Sequence, residues 1–351
     1  RVGDFHGTLR GAGAGEDGTV IEALPDLAVN PNLDGYWRDD PLESPLPWPY
    51  LLQFVGGEGT VRDLAIRVPP PPEEGLRPTQ GWVELFEVEH ELAGAILITA
   101  REPARFDVNR VRIVGEEDPE SDFDTTLLAG VAIRGLILDE APEFPSGFPV
   151  LPIQGRHQVS RSVFHGMLSG VALGELGDAD VAVRGNETSA FIGVDLLDAN
   201  RSRVRISENR WVLDALAVNV LLNLEGTPSE ANRLLIHDNR GAIGPYFGLA
   251  QGIFFWDPWL LAAPGGSTVW VYGNDLEVGN DTEAALGGIE VVGAGSLLVS
   301  RNTLRGRIAA VDGFGGVGIE VDQTTGCTAF LNDFEGLDTG AGPDLHLSLI
   351  H

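Results

Sequence analysis

Lysine is absent from this chain: all 23 of its basic residues are arginine, set against 52 acidic ones, for a net charge of −29. No amine is therefore on hand for Schiff-base or lysine general-base chemistry. Clusters of cations that neutralise phosphates are missing too, which argues against a nucleic-acid partner. Cysteine is reduced to Cys327, so no intrachain disulfide can form. No apolar run reaches the roughly 18 residues that cross a bilayer, so no membrane span is expected. The acid excess suits a salty medium, where screening weakens self-repulsion, or equally a GC-rich genome that writes Arg for Lys. The sequence opens on Arg1 rather than Met. That start is read as a processed or truncated chain of an exported protein, extracellular or periplasmic, the cell surface included.

What the chain has in quantity is a repeat. Short apolar strands end at Asn in Val183-Arg-Gly-Asn186, Ile206-Ser-Glu-Asn209, Ile236-His-Asp-Asn239, Val271-Tyr-Gly-Asn274, Val299-Ser-Arg-Asn302 and Ala329-Phe-Leu-Asn332, at spacings of 23 to 35 residues. Val159-Ser-Arg-Ser162 continues the series with Ser in the Asn place, and Val131-Ala-Ile-Arg-Gly-Leu136 echoes Val181-Ala-Val-Arg-Gly-Asn186. A period this short suits three short strands and three turns better than a strand and a helix. A second strand precedes each of these and is usually opened by Gly, as in Gly170-Val-Ala-Leu, Gly193-Val-Asp-Leu, Gly252-Ile-Phe-Phe, Gly288-Ile-Glu-Val and Gly318-Ile-Glu-Val. Apolar residues alternate with variable ones, as in half-buried strands. Asn side chains stacked at one bend can hydrogen-bond to each other and to turn backbone, so these six are assigned to scaffolding and not to a site.

These strands resemble the pectin-lyase-like superfamily in its right-handed β-helix repeat branch, and Phe5-His-Gly-Thr-Leu-Arg-Gly-Ala-Gly13 with Thr19-Val-Ile21 is similar to a first coil of such proteins. The resemblance implies one all-β domain over residues 1–351: a single-stranded right-handed parallel β-helix, a three-sided solenoid. It also implies a shallow groove along the Gly-opened strands that takes polysaccharide. Loop insertions are expected at about 25–50, 69–80, 139–153 and 244–264, where Pro and aromatic residues break the period. The last holds Tyr246, Phe247, Phe254, Phe255, Trp256 and Trp259. Such a cluster can stack on sugar rings or simply anchor a loop on the flank.

Side chains that share a strand position stand in columns about 4.8 Å apart per strand. The Gly-opened strands give Ala172, Asp195, Asn219, Phe254, Glu290 and Glu320. Glu290 beside Glu320, at roughly 5 Å, would have each carboxylate oppose ionisation of the other, and the spacing is near that of retaining glycosidases. The alternatives are a solvated acidic face or an oxygen-only site for Ca²⁺. The Asn-ended strands give Arg134, Ser160, Arg184, Ser207, His237, Tyr272 and Ser300, with Arg112 and Arg205 adjoining. These arginines could grip a uronate carboxylate or be paired with acidic neighbours, and His237 is a general base or a bystander. Catalytic expectations thus fall on Glu290, Glu320 and Asp195, and binding ones on Trp256, Phe254, Asn219, Arg184, Arg205 and His237. The catalytic signatures of polygalacturonases and mannuronan epimerases are missing. The functional expectation is an exported protein that binds, and cleaves or epimerises, an acidic polysaccharide. The alternative is a non-catalytic, self-associating scaffold.

Overall fold

The apolar-polar alternation of segments such as Arg203–Ser207 buries Val204 and Ile206 and turns Arg203 and Arg205 outward. A strand this short leaves backbone donors and acceptors on both edges, and these are satisfied only by a neighbour on each side. The computed structural model describes residues 2–15, 17–22, 50–68, 92–115, 127–137, 150–222, 231–244, 250–257, 266–280, 284–311, 314–336 and 345–349. Of these, 75% are strand and none is helical. The chain divides into two compact units, Arg1–Leu176 and Gly177–His351.

In the second unit the strands form three parallel ladders. The Asn-ended ladder runs through residues 180–184, Arg203–Ser207, Arg233–His237, Thr268–Tyr272, Ser296–Ser300 and Cys327–Phe330. After the Asn bend a short ladder follows: residues 187–190 and 210–213, then Arg240–Ile243, Asp275–Val278, Thr303–Gly306 and Asp333–Phe334. The Gly-opened ladder is built from residues 192–197 and 216–221, then Gln251–Trp256, Gly287–Val292, Val317–Thr324 and Leu345–Leu349. The chain visits them in that order and returns. The first unit also has parallel ladders, for example 2–10 on 54–62, on 104–109, on 155–160. The described antiparallel pairs are Leu136–Ile137 with Val150–Leu151 and Ala310–Val311 with Phe314–Gly315.

Most of the expected insertions lie outside the described residues. Their edges do not behave as loops. Tyr50 begins the strand Tyr50–Arg67 and is 8% exposed, Val150–Leu151 and Ile153–Ser160 are strands, and Gln251–Trp256 keeps ladder register with Phe255 in the core. Apolar alternation outweighs the neighbouring prolines there.

At the bend, each Asn donates both its backbone N–H and its Nδ2 to Oδ1 of the next, from Asn186 through Asn209, Asn239, Asn274 and Asn302 to Asn332, at 2.9–3.1 Å. From Asn209 onward, Nδ2 also donates to the strand carbonyl one step back: Val183, Ile206, Ile236, Val271 and Val299, at 3.0–3.2 Å. The residue ahead of each Asn turns the chain through left-handed backbone: Gly185, Glu208, Asp238, Gly273, Arg301 and Leu331 have φ of 54–66°. Ser162 fills the Asn place in the first unit, its Oγ accepting from Val111 N–H at 3.3 Å behind left-handed Arg161. A second polar stack was not legible in the sequence: Ala179 N–H donates to Ser202 Oγ, and Ser202 N–H to Asn232 Oδ1, at 3.1 and 3.0 Å.

In the first unit, His157 is 1% exposed and stacks on Phe106, with ring centroids 6.5 Å apart. Its Nε2 meets the Gln154 carbonyl at 3.1 Å, while Nδ1 is buried without a partner among the described residues. Burial pulls its pKa from 6.5 down to about 4, the Gln154 contact opposing. The unfolded chain therefore binds more protons between those values, and stability falls as pH drops from 6.5 toward 4.

Two outcomes follow for urea unfolding of the full chain. Asn239→Ala strands two buried N–H groups of Asn209 and should cost on the order of 3 kcal/mol, whereas Asn332→Ala strands the same two groups of Asn302 at the half-exposed end of the stack, where water can replace the lost acceptor, and should cost about 1 kcal/mol; a loss under about 0.5 kcal/mol in Asn239→Ala would contradict the ladder. His157→Phe should remove about 3 kcal/mol of acid-side pH dependence between pH 6.5 and 4, and an unchanged profile would place that dependence elsewhere.

Candidate functional site

Glycine opens the strands of one ladder because the backbones meet there. A Cβ on Gly252 would stand 2.3 Å from the Gly288 carbonyl oxygen, and one on Gly288 would stand 2.4 Å from that of Gly318. Close approach at this end fixes the register beyond it. Ile253, Phe255, Ile289, Val291, Ile319 and Val321 then point inward and are at most 1% exposed. The alternate residues form two outward columns.

The first column is Asp195, Asn219, Phe254, Glu290 and Glu320, in register strand by strand as the repeat implies. Ala172, in the first unit, pairs in register with Ala132. The second column is Leu197, Leu221, Trp256, Val292 and Asp322. Asn219 Nδ2 donates to Asp195 Oδ1 at 2.8 Å, tying that pair together. Phe254 is half-buried and Trp256 is 38% exposed, both on a rigid strand and not in an insertion. Tyr246, Phe247 and Trp259 lie outside the described residues.

Glu290 is the group with unusual chemistry. Burial is the first cause that lifts its carboxyl above the usual range, the Glu320 carboxylate next, with Asp322 adding, while a hydrogen bond from Gln251 opposes. That bond, Gln251 Nε2 to Glu290 Oε2, is 2.6 Å. Gln251 was not legible as a site residue, since its register neighbours Leu216 and Gly287 share none of its chemistry. Glu290 thus retains a proton to higher pH than a solvated carboxyl and sits one strand from a second carboxylate. Among the described residues, no three His, Cys, Asp or Glu side chains converge to hold a metal ion.

No family model, curated protein or solved structure matches this chain. Chemistry alone must assign the face.

On the Asn-ended ladder, Arg184, Ser207, His237, Tyr272 and Ser300 do share a column, which continues to Phe330. Arg134 does not belong to it: it pairs in register with Gly174 and holds Glu175 at 2.5 and 3.2 Å. Ser160 pairs in register with Asn109. Arg112 likewise lies beyond the left-handed bend at Arg110, opposite Ala65 and Val163, so it does not adjoin Arg205. The local echo around Val131 matched sequence between two different strand positions. Arg184 is engaged by Glu208 at 3.0 and 2.7 Å, and Arg205 by Asp180 at 3.0 Å. His237 Nδ1 meets Asp238 Oδ2 at 2.8 Å, and its ring stacks on Tyr272 at 4.8 Å and 2°.

Because Glu290 binds its proton more tightly folded than unfolded, its ionisation costs stability as pH rises through the raised value. Glu290→Gln should therefore be more stable than the native chain at neutral pH, with the difference vanishing below about pH 4, the ordinary carboxylate range. Thermal unfolding at both pH values checks this, and a destabilised variant at neutral pH would mean that the ionised form is the one the fold supports.

Proposed function

We propose that each unit winds as a right-handed parallel β-helix of an exported protein, and that the outward face of the Gly-opened ladder binds and cleaves an acidic polysaccharide. The fixed rotation through three parallel ladders supports the winding. It would fail on any experimental structure in which a unit's chain doubled back within one ladder.

The observation that carries the functional reading is Glu290: a carboxyl kept protonated beyond its usual range, beside Glu320, with Phe254 one strand away on its other side. A protonated carboxyl can approach a uronate without repelling it and can donate its proton to a glycosidic oxygen. Glu320 is then placed to stabilise or attack the developing oxocarbenium centre. Trp256 and Phe254 offer apolar surface to the C–H face of a sugar ring. A second reading, a self-associating scaffold, draws on Phe330 and Leu331, 44% and 70% exposed beside the last strand of the Asn-ended ladder. No strand among the described residues pairs beyond that edge.

The test is incubation of the full chain with acidic and neutral polysaccharides, with products read by mass spectrometry across pH. Turnover should fall as pH rises through the raised Glu290 value. Glu290→Gln should lose about a hundredfold or more in rate while still binding, and Trp256→Ala should weaken binding about tenfold. If no polysaccharide is bound or cut and light scattering shows assembly, the scaffold reading replaces this one.

A further inference from the structure

The outward face of the Asn-ended ladder is a grid whose strands are about 4.8 Å apart and whose rise is roughly 3.3 Å per residue. Strand by strand it reads Arg203, Arg205, Ser207; Arg233, Leu235, His237; Thr268, Trp270, Tyr272; and Ser296, Leu298, Ser300. Trp270 is 43% exposed although the residues on either side of it, Val269 and Val271, are fully buried. Its indole is therefore set on a rigid strand and turned to solvent between half-buried Leu235 and Leu298.

Arg203 and Arg233 are exposed, stand one strand apart, and make no ion pair among the described residues. Asp180, the acid in register with Arg203, is taken by Arg205 at 3.0 Å. Like charges directly opposite on neighbouring strands repel. In a chain with 52 acids to 23 bases, two adjacent arginines without a described acid of their own are a local excess of positive charge. Arg105 and Arg156 make a similar step in the first unit, but the next positions on the same face are Asp107 and Gln158, so no ring follows that pair along its strands. Among the described residues, an aromatic platform and paired guanidiniums coincide on the Trp270 face, with Arg233 and Trp270 roughly 8 Å apart on the grid.

We propose that this face is a binding site for a carboxylate-bearing oligosaccharide, with Trp270 stacked on a sugar ring and Arg203 and Arg233 taking the uronate carboxylate. It rests on the reading that the ligand is a glycan and adds a site distinct from the Glu290 face. The indole supplies an apolar surface for the axial C–H groups of a pyranose. The two guanidinium forks supply donors whose geometry matches a carboxylate, and a bound anion relieves their mutual repulsion. Leu235 and Leu298 widen the apolar strip, and the His237–Tyr272 stack borders it.

The experiment is calorimetric titration of the full chain with a short oligogalacturonate and with a neutral oligosaccharide of the same length, in chelator so that no cation bridges carboxylates. Expected is oligogalacturonate binding about tenfold tighter than the neutral sugar, weakened about tenfold in Trp270→Ala and again in Arg203→Gln/Arg233→Gln. Unchanged thermal unfolding of these surface variants keeps the losses interpretable. Native affinity in both variants overturns the proposal. Trp256→Ala read in parallel separates the two faces: loss there alone leaves the Glu290 face as the site and removes this one. Loss only in the Trp270 and Arg variants does the reverse, and no binding of either sugar removes both.

Discussion

A buried amide has more hydrogen-bonding capacity than a bend usually satisfies, and the second unit is organised around meeting that demand. Asn274 shows how closely the donors and acceptors match. Its Oδ1 accepts two N–H groups from Asn239, while its Nδ2 donates forward to Asn302 and back to the Ile236 carbonyl. No other side chain of that size has an acceptor and two donors in one plane. The match holds only if successive bends stack in register, so the amide stack couples register to the avoidance of unsatisfied buried groups. A slip by one residue would both break the stack and turn Val271 outward.

The left-handed residue ahead of each Asn explains why that position tolerates such varied chemistry. Gly185 and Gly273 adopt positive φ without steric cost, and Asp238 is among the residues that tolerate it. Leu331, at φ 55° and 70% exposed, has neither excuse. Strain of roughly 1–3 kcal/mol at such a residue persists only where its surroundings impose it, and here Asn332 donates to the Val299 carbonyl and accepts from Asn302 on the far side of the bend. The amide stack therefore dictates the bend, and the residue in front of it conforms.

How much of this was legible in the sequence follows from the same logic. The Asn and Gly landmarks recur at fixed places in the strand cycle, so the column from Asp195 to Glu320 could be read without coordinates. Where a stack changes chemistry from step to step, as in Ala179, Ser202 and Asn232, the eye finds no repeat although the geometry is the same. Arg134 was misplaced for the opposite reason: a good local echo joined two strand positions that ladder pairing keeps apart. Trp270 was overlooked because a tryptophan between two valines reads as core, and only its place in the alternation turns it outward.

The two outward faces of the second unit also differ in how their charges are disposed. On the Gly-opened ladder, Glu290, Glu320 and Asp322 gather with no arginine in their columns, and burial first, then the neighbouring carboxylates, lifts the Glu290 carboxyl above its usual range. On the Asn-ended ladder, Arg184 and Arg205 are matched to Glu208 and Asp180, each pair largely solvated and of little energetic consequence. The arginines left over, Arg203 and Arg233, have no such outlet, since a guanidinium cannot give up its proton. Their mutual repulsion is left to solvent and salt to screen. One face thus carries a carboxyl held above its usual range and the other two exposed arginines without a described acid of their own, so the two outward surfaces of one unit differ in the sign of the charge they leave unmatched.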